Sequence, residues 1–203
     1  MGLEAQCEGQ WGAQAGKGVL KFEEKDVLFR GDFRLKIPFA AMKKVEARGG
    51  WLRLTHPGGT AELHLGDEAA KWAERIQNPK GRLEKLGIKD GHRVTVIGLD
   101  DQKDFRAELT GRDVDVSFGR LRKGSDLVLV RMSAVGDLQR LKALRDSIKK
   151  EGAVWVVWPK GQKALREDDV RREAVRVGLV DVKVMSFSDA LSGLKLMIPR
   201  ARR

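Results

Sequence analysis

Residues 92–198 alternate between short apolar segments and amphipathic segments, and this rhythm constrains the fold more than any other feature of the chain. The segment 153–158 is apolar at every position, and 126–130 is apolar after its first residue. Unbroken apolar runs of this length are typical of strands that are buried on both faces of a parallel sheet. With amphipathic helices between the strands, the pattern predicts a three-layer α/β domain.

The elements of this region are predicted from periodicity and from glycine or proline breaks. Apolar residues at helical spacing predict a long helix over 135–150, with the stripe Leu138, Leu141, Leu144 and Ile148. The last two strands are expected to pair as an antiparallel hairpin. The full set is helix 82–86, strand 92–97, helix 102–109, strands 114–118 and 126–130, helix 135–150, strand 153–158, helix 168–177, and strands 181–187 and 193–198.

The first 77 residues show period-two alternation instead, which is typical of half-buried antiparallel strands. Glycine pairs at 49–50 and 58–59 predict hairpin turns. A helix from about Asp67 follows, with Ala69, Trp72, Ala73 and Ile76 on one face. The region therefore predicts a small α+β barrel capped by a helix, with strands 17–23, 26–30, 33–37, 52–54 and 61–65.

The segment 77–81 contains a proline and a glycine and ends the first helical pattern. We place the domain boundary there, which gives domains 1–77 and 78–203.

The formal net charge is +11, and most of the excess lies after residue 77. Clusters of this kind predict attraction to a polyanion such as a nucleic acid. No aromatic side chains interleave with them, so a solvated polar face is the alternative interpretation. The basic residues concerned are Arg120, Arg122 and Lys123, then Arg140, Lys142, Arg145, Lys149 and Lys150, then Arg200, Arg202 and Arg203.

Cys7 is the only cysteine, so no intramolecular disulfide is possible, which indicates a reducing compartment and favours the cytoplasm. The chain begins without a basic and then apolar leader, and its longest strongly apolar run, 153–158, is too short to span a bilayer. We therefore expect neither export nor membrane insertion.

The chain lacks the residues that several classes of catalytic site require. The three histidines show no metal-ligand spacing, tyrosine is absent, and neither a Gly-x-Ser-x-Gly elbow nor a Walker loop occurs. Asp168 and Asp169 are adjacent acids, but acids at the start of a helix are stabilised by the helix dipole. The residues themselves predict no catalytic group and no metal site.

Residues 5–77, a run of antiparallel strands closed by one amphipathic helix, resemble the pleckstrin-homology-like superfold in architecture, without a diagnostic motif. The resemblance implies a ligand or peptide that docks at the loops or along an exposed edge. An anionic group is one candidate ligand, and polar strand faces in water are the alternative explanation of the basic residues concerned, which are Arg34, Lys36, Lys43 and Lys44.

Residues 80–200 resemble an uncharacterised bacterial family of unknown function, which supplies no established activity. The resemblance is carried by segments 86–94, 125–130, 152–160, 178–184 and 192–194, including Trp-Pro-Lys at 158–160.

More distantly, the same region is similar to the later strands of class I S-adenosylmethionine-dependent methyltransferases, in which an acid opens the fourth strand, as Asp126 does here. Such enzymes place a glycine-rich turn against the cofactor and an acid at the end of the second strand. Here the turn is Gly98-Leu99-Asp100-Asp101, and the second strand ends Ser117-Phe118-Gly119-Arg120 without an acid. The region therefore predicts a degenerate, Rossmann-like domain that does not bind the cofactor.

Ligand sites in open α/β sheets lie at the carboxyl ends of the strands. Lys160 follows a buried strand and a proline, so it is a candidate for binding a carboxylate or phosphate, and a lysine that simply enters solvent is the alternative. The ligand-binding residues predicted by this rule are Asp100, Asp101, Arg131, Ser133, Lys160 and Ser186, with Ser188 beside the last.

These observations predict a non-catalytic binding or regulatory protein, whose partner is an unknown protein or an anionic ligand. A divergent S-adenosylmethionine-dependent methyltransferase acting on an anionic substrate and a basic nucleic-acid-binding module are the alternatives.

Overall fold

The computed structural model describes residues 3–23 and 25–203, and the chain divides after Lys80 into two compact units. Residues 1 and 2, at the start of the segment in which the sequence predicts no leader, lie outside the described residues. Among the described residues, no helix is both long enough and apolar enough to cross a membrane.

The first unit is one curled antiparallel sheet of seven strands in the order β4-β3-β2-β1-β7-β6-β5, followed by helix α1 (Ala69–Gln77). The buried core includes Leu20, Phe29 and Leu63 from the sheet and Trp72 from α1. The strands are β1 (Glu4–Trp11), β2 (Gln14–Phe22), β3 (Asp26–Gly31), β4 (Arg34–Pro38), β5 (Lys44–Arg48), β6 (Trp51–His56) and β7 (Gly59–His64).

Two glycine features explain how this sheet turns and curls. Gly49 and Gly50 hold φ values of +58° and +80° between β5 and β6, which is the backbone that a tight hairpin requires. Gly18 and Gly31 are paired across β2 and β3, and a Cβ on Gly31 would collide with the Lys17 carbonyl oxygen. The strands can therefore approach closely only without side chains at this pair.

Strand β1 was not among the predicted strands. Its sequence, EAQCEGQW, carries few large apolar residues, so the period-two signal is weak. Pairing with β2 on one side and β7 on the other brings Cys7 into the core instead. Tertiary pairing thus supplies the stability that the local pattern does not indicate.

The second unit is an α/β, Rossmann-like domain with a six-stranded sheet in the order β12-β13-β11-β10-β8-β9. Neighbours among β9, β8, β10 and β11 pair in parallel, whereas β13 pairs antiparallel with β11 and with β12. The elements are α2 (Arg82–Leu86), β8 (Arg93–Ile97), α3 (Lys103–Thr110), β9 (Asp115–Phe118), β10 (Ser125–Arg131), α4 (Leu141–Arg145), β11 (Ile148–Pro159), α5 (Glu167–Arg176), β12 (Val180–Ser186) and β13 (Leu191–Met197).

The sheet is covered on both faces, as the apolar runs predict. Trp158 packs with residues of α4 and α5 on one face, and Trp155 packs with residues of α2 and α3 on the other. Trp155 is fully buried, and its Nε1 donates a hydrogen bond of 3.0 Å to the carbonyl oxygen of Leu86. This bond ties the end of α2 to the central strand.

The predicted helix 135–150 is wrong in its second half. A 3-10 helix (Val135–Arg140) and α4 bury Leu138, Leu141 and Leu144, but strand β11 already begins at Ile148. The Ser147 hydroxyl donates to the Leu144 carbonyl oxygen, and such a bond competes with continuation of the helix. Ile148 then pairs with the first residue of β10, so it belongs to the sheet and not to the helical stripe.

The connection from β9 to β10, residues 119–124, contains no helix. It joins two parallel strands that lie on either side of β8, a crossover that ordinarily takes a dozen or more residues. Gly119 and Gly124 at its two ends hold φ values of +73° and +69°. Arg122 contacts Asp115 at the start of β9, so the chain doubles back along that strand.

Candidate functional site

The candidate site lies where the chain order of the second sheet reverses, between β8 and β10. The chain leaves β8 towards β9 on one side and later returns to β10 on the other. In open α/β sheets, the ligand crevice lies outside the carboxyl ends of the strands at this point. The turn 98–101 after β8 and residues 131–134 after β10 therefore form its walls.

Asp101 and Arg131, both predicted site residues, are joined across this gap. Arg131 Nη1 donates to Asp101 Oδ2 at 2.8 Å, and this hydrogen bond holds the pKa of the Asp101 carboxyl below its usual value. Gly98 takes a left-handed φ of +72°, and a Cβ there would lie 3.3 Å from Arg131 Cβ. Leu99 is buried at 3% exposure. A partly exposed ion pair and the buried Leu99 side chain thus lie at the reversal point.

The end of β9 is also covered by side chains of the same unit. The Arg106 guanidinium of α3 lies 4.0 Å from the centroid of the Phe118 ring, and its Nη1 lies 4.0 Å from Asp100 Oδ1. The side chain of Asp100 is 73% exposed, so this predicted site residue points into solvent beside Arg106. Sequence reasoning missed Arg106, because no local pattern connects it to Phe118.

Lys160 and Ser186 form a second pair among the predicted residues. Lys160 Nζ donates to Ser186 Oγ at 2.6 Å and to the Ser188 carbonyl oxygen at 2.8 Å. The Lys160 backbone N–H also donates to the Ala190 carbonyl oxygen at 2.8 Å. The lysine therefore ties the end of β11 to the β12–β13 turn, and two of its three donors are used within the protein.

Ser133 differs from the other predicted residues, because its recorded contact is through the backbone. The N–H groups of Ser133 and Ala134 donate to Asp137 Oδ2 at 2.8 Å and 3.0 Å, and these bonds lower the pKa of the Asp137 carboxyl. Asp137 thereby orders the turn after β10. Its position in the first turn of a helix was the sequence signal that could have identified it.

The structure brings together Asp101 with Arg131, and Lys160 with Ser186. Among the described residues, no side-chain hydrogen bond or ion pair joins the two pairs to each other, and none joins Asp100 or Ser133 to either pair. A ligand-binding role for these residues stays a prediction.

An adenosyl group needs a backbone that it can approach closely and an acid for its ribose hydroxyls. Here the Asp101–Arg131 pair crosses the approach, and the second strand offers Phe118 beneath Arg106 in place of an acid. The side chains at this edge therefore differ from those that ordinarily form such a cradle.

The described residues form neither a cluster of metal ligands nor a reactive thiol. Among residues 3–23 and 25–203, no three His, Cys, Asp or Glu side chains cluster as metal ligands would. Burial raises the pKa of the Cys7 thiol to about 11, so it is protonated and weakly nucleophilic at neutral pH.

No protein-family model matches this chain, and no curated protein matches it. Three similar solved structures are methylases or methyltransferases. A TehB-like SAM-dependent methyltransferase from Corynebacterium glutamicum is 14% identical with a TM-score of 0.47, covering 66% of this chain and 97% of that one. A ribosomal protein L11 methylase from Lactobacillus delbrueckii is 12% identical with a TM-score of 0.43, and the similarity covers 66% of this chain and 82% of that one. A SAM-dependent methyltransferase from Aquifex aeolicus is 14% identical with a TM-score of 0.41, and the similarity covers 62% of this chain and 93% of that one. At these values the similarities assign neither a family nor an activity, and the fold assignment rests on the strand order above.

Proposed function

We propose that this chain is a non-catalytic binding or regulatory protein whose second unit keeps a methyltransferase-like sheet without binding S-adenosylmethionine. The observation that carries the proposal is the packing of Arg131, which also pairs with Asp101, against Gly98 at the point where the strand order reverses. The single cysteine, Cys7, supports a reducing compartment, and we place the protein in the cytoplasm.

The ion pair alone is too weak to exclude a cofactor. Pairs this exposed contribute about 1 kcal/mol or less, which corresponds to a loss of affinity of about fivefold. The larger obstacles are the packing of Arg131 against Gly98 and the lack of an acid at the end of β9. A buried ribose hydroxyl without its partner costs about 1–3 kcal/mol for each lost bond.

For the first unit we propose a pleckstrin-homology-like module that docks a ligand or peptide. Its seven-stranded curled sheet and the packing of α1 on that sheet support this assignment. Two of the four basic candidates are neutralised, since Lys36 lies 3.1 Å from Asp26 and Lys44 lies 3.0 Å from Glu46. The other two, with no ion pair in the described part, are Arg34 and Lys43.

The proposal is tested by isothermal titration of the full chain with S-adenosylmethionine and with S-adenosylhomocysteine. We expect no binding heat from either compound. The matched variant carries Asp101→Ala and Arg131→Ala, which removes the ion pair and leaves Gly98 in place. We expect it to stay silent too, because the second strand still lacks an acid. Micromolar binding by the unmodified chain would overturn the proposal.

A divergent methyltransferase acting on an anionic substrate is the second candidate. Gly98 favours it, because its left-handed φ directly after the first strand of the sheet provides the tight turn from which cofactor loops are built. Micromolar binding of the cofactor in the titration would select this candidate, and transfer of a labelled methyl group would then be measured.

A further inference from the structure

The amino edge of the second sheet, opposite the candidate site, collects basic segments that are far apart in sequence. Ser125 at the start of β10 pairs with Ile148 at the start of β11, and Ala153 of β11 pairs with Met197 at the end of β13. The edge therefore contains the end of the 119–124 connection, residues 145–152, and the terminal residues 198–203.

Residues 149–152 of β11 interrupt the regular strand pairing at this edge. Two successive pairings, Ser125 with Ile148 and Leu127 with Ala153, leave these residues as an irregular bulge. Gly152 permits it, since a Cβ there would meet the Asp126 carbonyl oxygen at 3.0 Å. Lys149 turns back to Asp126 at 2.7 Å, whereas Lys150 is exposed and has no ion pair in the described part of the chain.

Several carboxylates at this edge are already neutralised. Asp115 accepts hydrogen bonds from Arg93 and Arg122, which lower the pKa of its carboxyl, the Arg122 bonds most. Asp126 accepts from Lys149, and Asp146 lies 3.6 Å from Lys142. Asp113 and Glu151 have no ion pair in the described residues and offset part of the basic charge. Some exposed cations of the 119–124 connection and of this edge have no side-chain hydrogen bond or ion pair among the described residues; these are Arg120, Lys123, Lys150, Arg200 and Arg202.

The connection 119–124, which runs from the carboxyl end of β9 back to the amino edge, forms a cavity of about 530 Å³ lined by Ser117, Arg120, Leu121, Arg122 and Lys123. Its backbone is fixed in place, because Ser117 Oγ donates to the Arg120 carbonyl oxygen at 2.9 Å and Ser125 Oγ donates to that of Arg122 at 2.8 Å. Both Arg122 Nη groups bind Asp115. Arg120 and Lys123 are thus presented from an ordered loop, which reduces the entropy lost on binding.

We propose that this amino edge binds the phosphodiester backbone of a nucleic acid, with one phosphate in the 119–124 cavity. Guanidinium and ammonium groups are the side chains that bind phosphate oxygens most strongly. A row of unpaired cations that extends over several strands suits a polyanion better than a single small anion. The cavity lining contains no aromatic residue, so contacts are to the backbone and not to stacked bases.

The test is fluorescence anisotropy of the full chain with short labelled single-stranded DNA, duplex DNA and RNA over a series of KCl concentrations. Binding should weaken steeply with salt as counterions compete for the phosphates. The variant Arg120→Gln with Lys123→Gln should bind more weakly, and its salt slope should be smaller by about two, one for each lost phosphate contact. It leaves the Arg122–Asp115 pair, and hence the loop anchor, intact.

The matched control carries Lys103→Gln and Lys163→Gln. These exposed lysines of the same unit lie near the carboxyl edge, and the control removes the same charge. We expect its salt slope to match that of the unmodified chain, and circular dichroism verifies that both variants are folded. Equal losses in the two variants, or no salt-dependent binding by the unmodified chain, would overturn the proposal. So would binding of anionic vesicles without binding of any oligonucleotide.

Discussion

Replacing Lys160 by methionine separates a structural role of this lysine from a ligand-binding role. Methionine keeps a long apolar side chain but removes the ammonium group that donates to Ser186 Oγ at 2.6 Å and to the Ser188 carbonyl oxygen at 2.8 Å. If those bonds explain the residue, the variant should lose stability whether or not any ligand is present.

The size of the loss follows from the two bonds and from their exposure. A net hydrogen bond contributes about 0.5–1.5 kcal/mol to the free energy of unfolding, and exposed charged groups fall at the low end because solvent screens them. We therefore expect Lys160→Met to lower the free energy of unfolding by about 1 kcal/mol, which lowers Tm by about 2–4 °C for a chain of this size.

The assay is thermal and urea unfolding followed by far-UV circular dichroism. Ser186→Ala removes one acceptor, and in the double variant the two losses should be non-additive by about 0.5 kcal/mol, because both residues share one bond. Lys163→Met, an exposed lysine in the following loop, is the control and should change stability by less than about 0.5 kcal/mol. A Lys160→Met variant that unfolds like the unmodified chain would refute the structural explanation and favour a ligand contact.

Three further predictions concern the same unit. Gly98→Ala should lower the free energy of unfolding by about 1–2 kcal/mol, because alanine is strained at φ +72°. The shift of the urea unfolding midpoint measures this loss. Trp155→Phe leaves the buried Leu86 carbonyl without its hydrogen-bond donor. The free energy of unfolding, measured by urea unfolding followed by circular dichroism, should fall by about 1–3 kcal/mol. Burial raises the pKa of the Asp126 carboxyl, but the Lys149 hydrogen bond and a backbone N–H outweigh this and lower it overall. Its stabilisation is therefore present above about pH 4 and is lost as the pH falls through the lowered pKa. Asp126→Asn should therefore unfold more easily than the unmodified chain at neutral pH. Unfolding measured at a series of lower pH values should show this difference in stability shrinking.

The strands of the second sheet could be predicted because their signal is local. The run 153–158 is buried on both faces, so each of its positions must be apolar, and the sequence carries that requirement directly. The opposite orientations of Trp155 and Trp158 follow from the two-residue repeat of a strand, and the two side chains pack into the clusters on opposite faces of the sheet.

The end of helix 135–150 could not be predicted in the same way. Ile148 continues the helical stripe of Leu138, Leu141 and Leu144, and local spacing does not distinguish a helical position from the first residue of a strand. What decides it is the pairing of Ile148 with Ser125, a contact between residues distant in sequence.

For the candidate site, the rule that ligands lie at carboxyl ends places the predicted residues at one edge of the sheet but does not say which of them bind each other. The Asp101–Arg131 pair depends on β8 and β10 being neighbours, and the Lys160–Ser186 bond depends on β13 placing the β12–β13 turn beside the end of β11. Both partnerships are set by strand order and register, which the composition of a single segment does not encode.

The two edges of the second sheet differ in what a ligand must displace. At the carboxyl edge, a ligand that uses Arg131 or Lys160 must first break hydrogen bonds of 2.8 Å and 2.6 Å that the protein already makes. At the amino edge, Lys123 and Lys150 have no recorded side-chain bond in the described residues, so an incoming phosphate exchanges only water and counterions. Because a binding free energy is the surplus over what is broken, the same charge contributes more at the amino edge. Carboxyl-edge substitutions should therefore act mainly on stability, and amino-edge substitutions mainly on the affinity for polyanions.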